Sequence, residues 1–193
     1  MDRFWIRQYP PGTPADIDPN EYRSLKALIE QGCAQFATRA AFLQMGHSMS
    51  YAELDRLSGR FAAWLQRQGL GKGERIAIML PNILQYPVAM FGALRAGLAV
   101  VNTNPLYTRT ELEHQLRDSG AVALIVLENF AAVAQEALPA SSVRHVIVTG
   151  VGDLLPFPKG ALVNFVLRNI QRKIPPYQLP AAQSLRTILG QAP

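Results

Sequence analysis

Residues 75–102 read RIAIMLPNILQYPVAMFGALRAGLAVVN. The run from Arg75 to Leu80 predicts a buried strand, the mostly apolar run from Ile83 to Arg95 predicts a helix, and Leu98 to Asn102 predicts a second strand. Two apolar strands joined by a helix are typical of a βαβ unit, whose strands are parallel and covered on both faces. This stretch therefore predicts an α/β protein.

The same alternation continues towards the C-terminus. A capping box at residues 108–111 (TRTE) opens a helix with Leu112 and Leu116 facing inward and an ion pair expected between Glu113 and Arg117. The next elements are predicted as a strand at 121–127, a helix at 130–138 and a strand at 143–148. Right-handed crossovers between these strands give a parallel, doubly wound sheet layer.

Upstream of the sheet, the sequence predicts a helix and a small hairpin. Apolar positions repeat at helical spacing from Ser24 to about Thr38, and two short strand-like runs at 41–44 and 47–50 flank a Met-Gly turn. A second capping box, Ser50 to Glu53, opens a helix that ends near Gly69. The predicted division is an extended arm at 1–22, an α/β subdomain at 23–150 and an irregular, helical extension at 151–193 with helices at 161–172 and 184–189.

Composition limits the class of protein. The hydrophobic fraction is 49% and the charged fraction is 17%, values typical of a globular chain. No apolar run approaches the roughly 20 residues of a membrane span, and the N-terminus lacks the apolar core of a secretory signal. The single cysteine, Cys33, is expected to be a small buried side chain in a cytoplasmic protein.

The net charge of +5 suits an anionic partner, either nucleic acid, an acidic lipid surface or a phosphate-bearing cofactor. Neither a basic recognition helix nor aromatic residues interleaved with basic ones is visible, so no nucleic-acid partner is expected.

No self-contained catalytic or metal site is found in the sequence. The glycine cluster at 69–74 precedes a strand and fits a helix end with a turn, and Gly150-Val151-Gly152 lacks a third glycine at phosphate-loop spacing. The three histidines, His47, His114 and His145, are not spaced as metal ligands. We therefore expect no catalytic residue and no metal ligand here.

Two motifs resemble a known superfamily. Residues 49–54 (MSYAEL) are similar to the first core motif of the adenylate-forming enzymes, and residues 94–105 (LRAGLAVVNTNP) are similar to the second. Three further stretches resemble the bacterial long-chain fatty-acid–CoA ligases in particular: 81–89 (PNILQYPVA), 104–108 (NPLYT) and 111–121 (ELEHQLRDSGA). The likeness runs from about Trp5 to Leu189.

The resemblance implies an enzyme that activates a long-chain fatty acid with ATP and Mg²⁺ and passes the acyl group to CoA. In that family the phosphate loop, the Mg²⁺-binding Glu and the catalytic Lys come later in the chain, so these 193 residues are expected to be a non-catalytic N-terminal fragment. The alternative is a free-standing module that binds lipid, CoA or a protein. A fragment would expose apolar surface and strand edges, from which self-association is expected.

The resemblance also implies a path for CoA along two turns that follow strands, at Thr103, Asn104 and Pro105 and at Glu128 and Asn129. Ligands gather at the carboxyl ends of strands in open α/β sheets. The alternative is that Asn and Pro serve only the turn itself.

The segment from Lys159 to Lys173 has an apolar face and four basic residues, Lys159, Arg168, Arg172 and Lys173. This pattern fits a helix on an anionic membrane surface, which would make the protein peripheral on the inner membrane. The alternative is a helix that packs on its own sheet.

Overall fold

The computed structural model describes residues 3–191 and contains a five-stranded parallel sheet preceded by a two-stranded hairpin. Its helices and strands are, in chain order, α1 (Leu25–Gln35), β1 (Ala40–Gln44), β2 (His47–Ser50), α2 (Tyr51–Arg67), β3 (Arg75–Met79), α3 (Gln85–Ala96), β4 (Ala99–Asn102), α4 (Arg109–Ser119), β5 (Ala123–Leu127), α5 (Ala131–Ala137), β6 (His145–Thr149), α6 (Lys159–Phe165), β7 (Gln183–Ser184) and α7 (Leu185–Gly190). A π-helical stretch, Val166–Ile170, continues α6.

The sheet order is β4-β3-β5-β6-β7, and every neighbouring pair is parallel. Counted from β3, this is the doubly wound order 2-1-3-4-5, in which the chain first adds a strand on one side and then continues on the other. The predicted α/β class and the parallel, doubly wound layer are confirmed.

Side chains alternate between the two faces of the sheet, as the two-residue period of a strand requires. On β3, Ile76 and Ile78 belong to a core cluster formed with α2, α3 and α7, whereas Ala77 and Met79 belong to a second cluster formed with α4 and α5. All five residues of β5 are buried. The continuous apolar runs of β3 and β5 therefore arise because helices cover both faces.

Helices α2 and α3 cross closely at Gly92. A Cβ atom built there would lie 2.7 Å from Cδ1 of Phe61 and 2.9 Å from the carbonyl oxygen of Ser58. One turn further, the Arg95 guanidinium donates to the carbonyl of Asp55 (2.7 Å) and to Oγ of Ser58 (3.0 Å), and it forms an ion pair with the Asp55 carboxylate. The arginine of the second sequence motif thus ties α3 to α2.

The capping box that opens α4 is confirmed, since Glu111 N donates to Thr108 Oγ1 and the Glu111 carboxylate accepts from Thr108 N at 2.8 Å. The expected Glu113–Arg117 pair is wrong: Glu113 Oε1 lies 2.6 Å from Nε of Arg109. Helical side chains lean towards the N-terminus, which directs the Glu113 carboxylate to the residue four positions earlier.

The first capping box is half formed. Ser50 Oγ accepts from Glu53 N at 3.1 Å, but the Glu53 carboxylate forms an ion pair with Arg56 instead of returning to the Ser50 amide. Ser50 is also the last residue of β2, where it pairs with Ala40. The hairpin strand therefore leads directly into α2.

Helix α1 is shorter than predicted and ends at Gln35, with Ser24 as its N-cap (Ala27 N to Oγ, 3.1 Å). Leu25 and Leu28 are exposed, although the helical spacing placed them on the inward face. Cys33 is buried as expected, and burial followed by the nearby Asp55 charge raises the pKa of its thiol. A raised pKa disfavours the reactive thiolate.

The C-terminal extension differs most from the sequence prediction. The helix expected at 161–172 begins two residues earlier, and from Val166 its winding becomes π-helical. Strand β7 was not predicted, whereas α7 lies within one residue of the expected helix. Leu185 and Ile188 of α7 are buried in the core shared with α2, so this part of the extension packs onto the same sheet. The three-part division remains a prediction; residues 1, 2, 192 and 193 of its ends lie outside the described range.

Candidate functional site

All five strands of the parallel sheet end at one edge, here called the carboxyl edge, which is formed by the turns after β3, β4, β5 and β6 and by the start of α7. The order reverses between β3 and β5, and open α/β sheets bind ligands at such a reversal. The predicted CoA-path turns follow β4 and β5, on either side of β3. Two strand spacings, about 10 Å, separate them.

The turn after β4 is held by its own backbone chemistry. Thr103 is buried and its amide donates to the carbonyl of Ile78 (3.1 Å). The side-chain oxygen of Asn104 accepts from Leu106 N (3.0 Å), which is an Asx turn, and Pro105 follows it in the sequence. The contacts of Thr103 and Asn104 match the turn-chemistry alternative, and the CoA-path assignment of Thr103, Asn104 and Pro105 remains a prediction.

The turn after β5 is tied to a distant part of the chain. The Glu128 carboxylate accepts from Nη2 of Arg168 at 2.6 Å, and Asn129 Nδ2 donates to the carbonyl of Lys173 at 3.0 Å. The other side-chain atom of Asn129, Oδ1, is buried without a hydrogen-bond partner. The sequence had assigned Glu128 to a CoA path and Arg168 to a membrane surface, and the structure brings these two residues together.

A cavity of about 370 Å³, here called the edge cavity, lies beside this ion pair. Its polar lining consists of Glu128, Asp153, Asn164, Arg168, Tyr177, Gln183 and Ser184. Burial, with a smaller contribution from Glu128, raises the pKa of the Tyr177 phenol, and the hydrogen bond to Glu128 raises the pKa of Arg168. At neutral pH the cavity therefore presents a neutral phenol next to a closed ion pair.

The loop after β6 has no amides free for a phosphate at its glycines. Gly150 N donates to the Asp153 carboxylate (2.7 Å), and Gly152 N donates to the side-chain oxygen of Asn164 (2.7 Å). Asp153 also accepts from the Thr149 hydroxyl (2.9 Å) and from Asn164 Nδ2 (2.9 Å). The glycines serve close packing instead, because a Cβ at Gly152 would lie 2.3 Å from the carbonyl oxygen of Gly160.

Asp153 and Asn164 were missed by the sequence analysis. The turn-forming position of Asp153, four residues after the strand-end threonine, is a signal that could have indicated it. Asn164 reaches this loop only because α6 folds back on it, and local sequence carries no sign of that.

The basic segment, residues 159–173, presents apolar side chains to solvent. Leu162, Phe165 and Ile170 are each more than half exposed. Two of the four predicted basic residues already have partners within the chain, since Lys159 donates to the carbonyl of Met45 and Arg168 pairs with Glu128. Arg172 and Lys173 are exposed, and Arg172 has a positive φ of 50°.

The histidines lie apart, in β2, α4 and β6, and the residues 3–191 contain no group of three or more His, Cys, Asp or Glu side chains that could hold a metal ion. Within the same range, no helix is long and apolar enough to cross a membrane.

An open, parallel sheet of order β4-β3-β5-β6-β7, with a polar cavity at its carboxyl edge, defines the chain as a doubly wound α/β layer. Its relatives give the family. Residues 29–188 match the family described as AMP-binding enzyme, and the chain belongs to it.

The chain is 51% identical over 191 residues, 98% of its length, to a long-chain-fatty-acid–CoA ligase of Yersinia pestis, and it covers 34% of that protein. It is 37% identical over 158 residues, 82% of its length, to the ligase of the same name from Bacillus subtilis and covers 28% of it. A solved long-chain-fatty-acid–CoA ligase of Archaeoglobus fulgidus matches with a TM-score of 0.64 and 27% identity, over 81% of this chain and 32% of that one. The chain thus spans about a third of the length of these relatives.

Proposed function

We propose that this chain is the first α/β layer of a long-chain fatty-acid–CoA ligase, which converts a fatty acid, ATP and CoA into acyl-CoA, AMP and pyrophosphate. The observation that carries the proposal is the 51% identity to the Yersinia pestis ligase over 98% of the chain. The enzyme would act in the cytoplasm, with ATP, Mg²⁺ and CoA as its cofactors.

The chemistry itself would be performed by the other two thirds of the enzyme. One feature of the described residues supports this: the Gly150 and Gly152 amides, at the end of β6, already donate to Asp153 and Asn164 and are not free for a phosphate. The 193-residue chain alone should therefore form no acyl-CoA.

The test is the ATP- and CoA-dependent formation of oleoyl-CoA by two proteins. One is this chain, and the other is this chain joined to the remaining two thirds of the Yersinia pestis relative. Activity in the chimera alone supports the proposal. Activity in the short chain, or a folded chimera without activity, contradicts it.

Within that enzyme, we place the CoA path along Thr103, Asn104 and Pro105 and along Glu128 and Asn129. The unpartnered Oδ1 of Asn129 supports this for the second turn, because a buried acceptor without a donor is costly. In the chimera, Asn129→Ala should raise the KM for CoA and leave the KM for ATP unchanged. Asn169→Ala is the matched control, since Asn169 also donates from its side chain to a backbone carbonyl, that of Phe165. Equal effects of the two substitutions would contradict the assignment.

A free-standing binding module is the second candidate, and the edge cavity favours it. Isothermal titration of the short chain with CoA and with oleate separates the two functions. Micromolar binding of either ligand would favour the module, and absence of binding together with an active chimera would favour the ligase layer.

We also propose that the basic segment contacts the anionic inner membrane. The last 40 residues contain five of the 19 basic residues and none of the 14 acidic ones, so this stretch alone accounts for the net charge of +5. Exposed Leu162, Phe165 and Ile170 supply an apolar face beside that charge. Basic charge next to an exposed apolar face is the pattern of interfacial helices.

Sedimentation with vesicles tests the membrane contact. Vesicles containing phosphatidylglycerol should bind the chain, and phosphatidylcholine vesicles should bind it weakly. The double variant Arg172→Glu/Lys173→Glu should lose the difference. Arg67→Glu/Lys72→Glu, which changes the net charge equally at two exposed positions elsewhere, should retain it. Loss in both variants would show a general charge effect and would contradict the assigned surface.

The same exposed side chains, together with the edge strand β4, would support self-association of the short chain. Analytical ultracentrifugation should show dimers or larger species that dissociate on dilution. A monomer at all concentrations would contradict this.

A further inference from the structure

The Glu128–Arg168 pair joins the two surfaces for which we have proposed functions. Glu128 belongs to the turn after β5, and its side chain is 14% exposed; Arg168 belongs to the basic segment, and its side chain is 56% exposed. The carboxylate is therefore fixed in the wall of the edge cavity, whereas the guanidinium lies at the surface. One partner of this pair is accessible to an external anion and the other is not.

A second contact runs parallel to the first. Asn129, the residue after Glu128, donates to the carbonyl of Lys173, at the far end of the basic segment. The basic segment is thus attached to one turn through both its middle and its end. Among the residues described, the side chains of no other turn at the carboxyl edge hydrogen-bond to residues 166–173.

The backbone around these two contacts is irregular. Val166–Ile170 is π-helical, and Arg172 has a left-handed conformation with φ of 50°. Short π-helical stretches and non-glycine residues at positive φ are both less stable than regular helix, and they persist where neighbouring contacts hold them. The contacts to Glu128 and Asn129 are in position to do so.

We infer that the Glu128–Arg168 ion pair and the Asn129–Lys173 hydrogen bond form a latch that an anionic lipid surface releases. The inference rests on the proposed membrane contact and goes beyond it, because it couples lipid binding to the turn after β5 and to the edge cavity.

The chemistry favours lipid phosphates as the competing anion. Arg168 is an exposed guanidinium three residues from Phe165 and two from Ile170, both with exposed apolar side chains. When those side chains enter the headgroup region, phosphate oxygens lie within reach of Arg168. Guanidinium binds phosphate in the same two-pronged geometry as it binds carboxylate, so phosphate can replace Glu128.

Release changes the edge cavity. The Glu128 carboxylate then loses its Arg168 partner, and one wall of the cavity, the Arg168 side chain, moves away. Solvent screens the exposed Arg168 end of the pair, so the main cost of opening is that the 14% exposed Glu128 carboxylate loses its cation, and phosphate binding by Arg168 offsets this cost. Lipid binding can therefore shift the equilibrium from the closed Glu128–Arg168 pair to the open form.

Hydrogen–deuterium exchange with the 193-residue chain tests the latch, with vesicle binding measured in parallel. Phosphatidylglycerol vesicles should slow exchange in residues 162–173, which the lipid covers, and should speed exchange in residues 128–131. Phosphatidylcholine vesicles should change neither. Slower exchange in 162–173 with no change in 128–131 would overturn the latch and leave the membrane contact intact. Absence of vesicle binding would overturn both.

Variants of the pair give the second test. Glu128→Gln should speed exchange in 128–131 without any lipid and should tighten vesicle binding by about twofold to fivefold, because Arg168 no longer has to be released. Arg168→Gln should also speed lipid-free exchange there but should weaken binding. If Glu128→Gln left binding and exchange unchanged, the latch would be overturned.

The chain offers a matched control pair on α4. Arg109 and Glu113 are also 2.6 Å apart, with side-chain exposures of 60% and 21%. Glu113→Gln removes the acid of a similar ion pair, with the same change in net charge, and should leave vesicle binding as in the parent chain. Tighter binding by Glu113→Gln as well would attribute the effect to net charge and would overturn the latch.

Discussion

Two glycines in the middle of helices give opposite predictions for one substitution. Gly92 lies in α3 where it crosses α2, and Gly32 lies in α1. A Cβ at Gly92 would lie 2.7 Å from a ring carbon of Phe61 and 2.9 Å from the backbone oxygen of Ser58, whereas a Cβ at Gly32 would meet nothing within 4 Å. Gly92→Ala should therefore destabilise the protein, and Gly32→Ala should stabilise it.

The magnitudes follow from helix propensity and packing. Replacing glycine by alanine inside a helix is worth about 1 kcal/mol, and both variants gain this term. At Gly92 an overpacking cost of about 3 kcal/mol opposes it, at the upper end of the usual range, because the obstructing atoms are a fully buried ring and a helix backbone. We expect a net loss of about 2 kcal/mol for Gly92→Ala and a gain of about 1 kcal/mol for Gly32→Ala.

Urea unfolding followed by tryptophan fluorescence measures both changes. Trp64 is buried and stacks on Phe61 at a ring-centroid distance of 6.0 Å, so it reports directly on the crossing. In thermal unfolding, Gly92→Ala should lower the Tm by roughly 4–8 °C, given 2–4 °C per kcal/mol for a chain of this size. If Gly92→Ala were as stable as Gly32→Ala, the close crossing of α2 and α3 would be refuted.

Three further changes test other parts of the fold. Gly152→Ala should cost about 3 kcal/mol or more in urea unfolding, because its Cβ would meet the Gly160 carbonyl oxygen at 2.3 Å; unchanged stability would contradict this contact. The Thr108 hydrogen bonds lower the pKa of Glu111 below 4.5, so its contribution is complete above that pH and is lost as the pH falls through the lowered value. Glu111→Gln should accordingly be less stable than the parent at neutral pH and equally stable in strong acid. Burial lowers the pKa of His145 below 6.5, so the folded state disfavours the charged ring and stability decreases as the pH falls below 6.5. His145→Gln should reduce that slope in unfolding free energies measured against pH, and an unchanged slope would contradict it.

The sheet could be predicted because its strands are buried on both faces. In a chain where strands alternate with helices, continuous apolar runs such as β3 and β5 indicate strands covered by helices on both faces. Capping by Thr108 marks the start of α4, and the positive φ of Gly69 marks the turn after α2. Strand β7 could not be predicted, because two residues carry no period. The π-helical winding after Phe165 could not be predicted either, since its apolar residues have the same spacing as those of the ordinary helix expected there.

The site was predictable only in its parts. The family resemblance, together with the rule that ligands gather at the carboxyl ends of strands, pointed to Glu128 and Asn129, and the basic and apolar pattern pointed to Arg168 and Lys173. Their pairing was not predictable, because 40 residues separate Glu128 from Arg168 and no local periodicity spans that distance. The Asp153–Asn164 contact was missed for the same reason.

The distribution of charge along the chain determines how opening the latch would affect lipid binding. Residues 1–153 contain equal numbers of acidic and basic residues, so attraction to an anionic surface resides in the last 40 residues. Arg168 belongs to that excess only when it is released from Glu128. If the proposed membrane contact and latch hold, one equilibrium sets both the number of charges that face the lipid and the shape of the edge cavity. Coupling between two binding sites is reciprocal. A ligand that binds more tightly when Glu128 is free must therefore strengthen lipid binding by the same factor by which lipid strengthens the binding of that ligand.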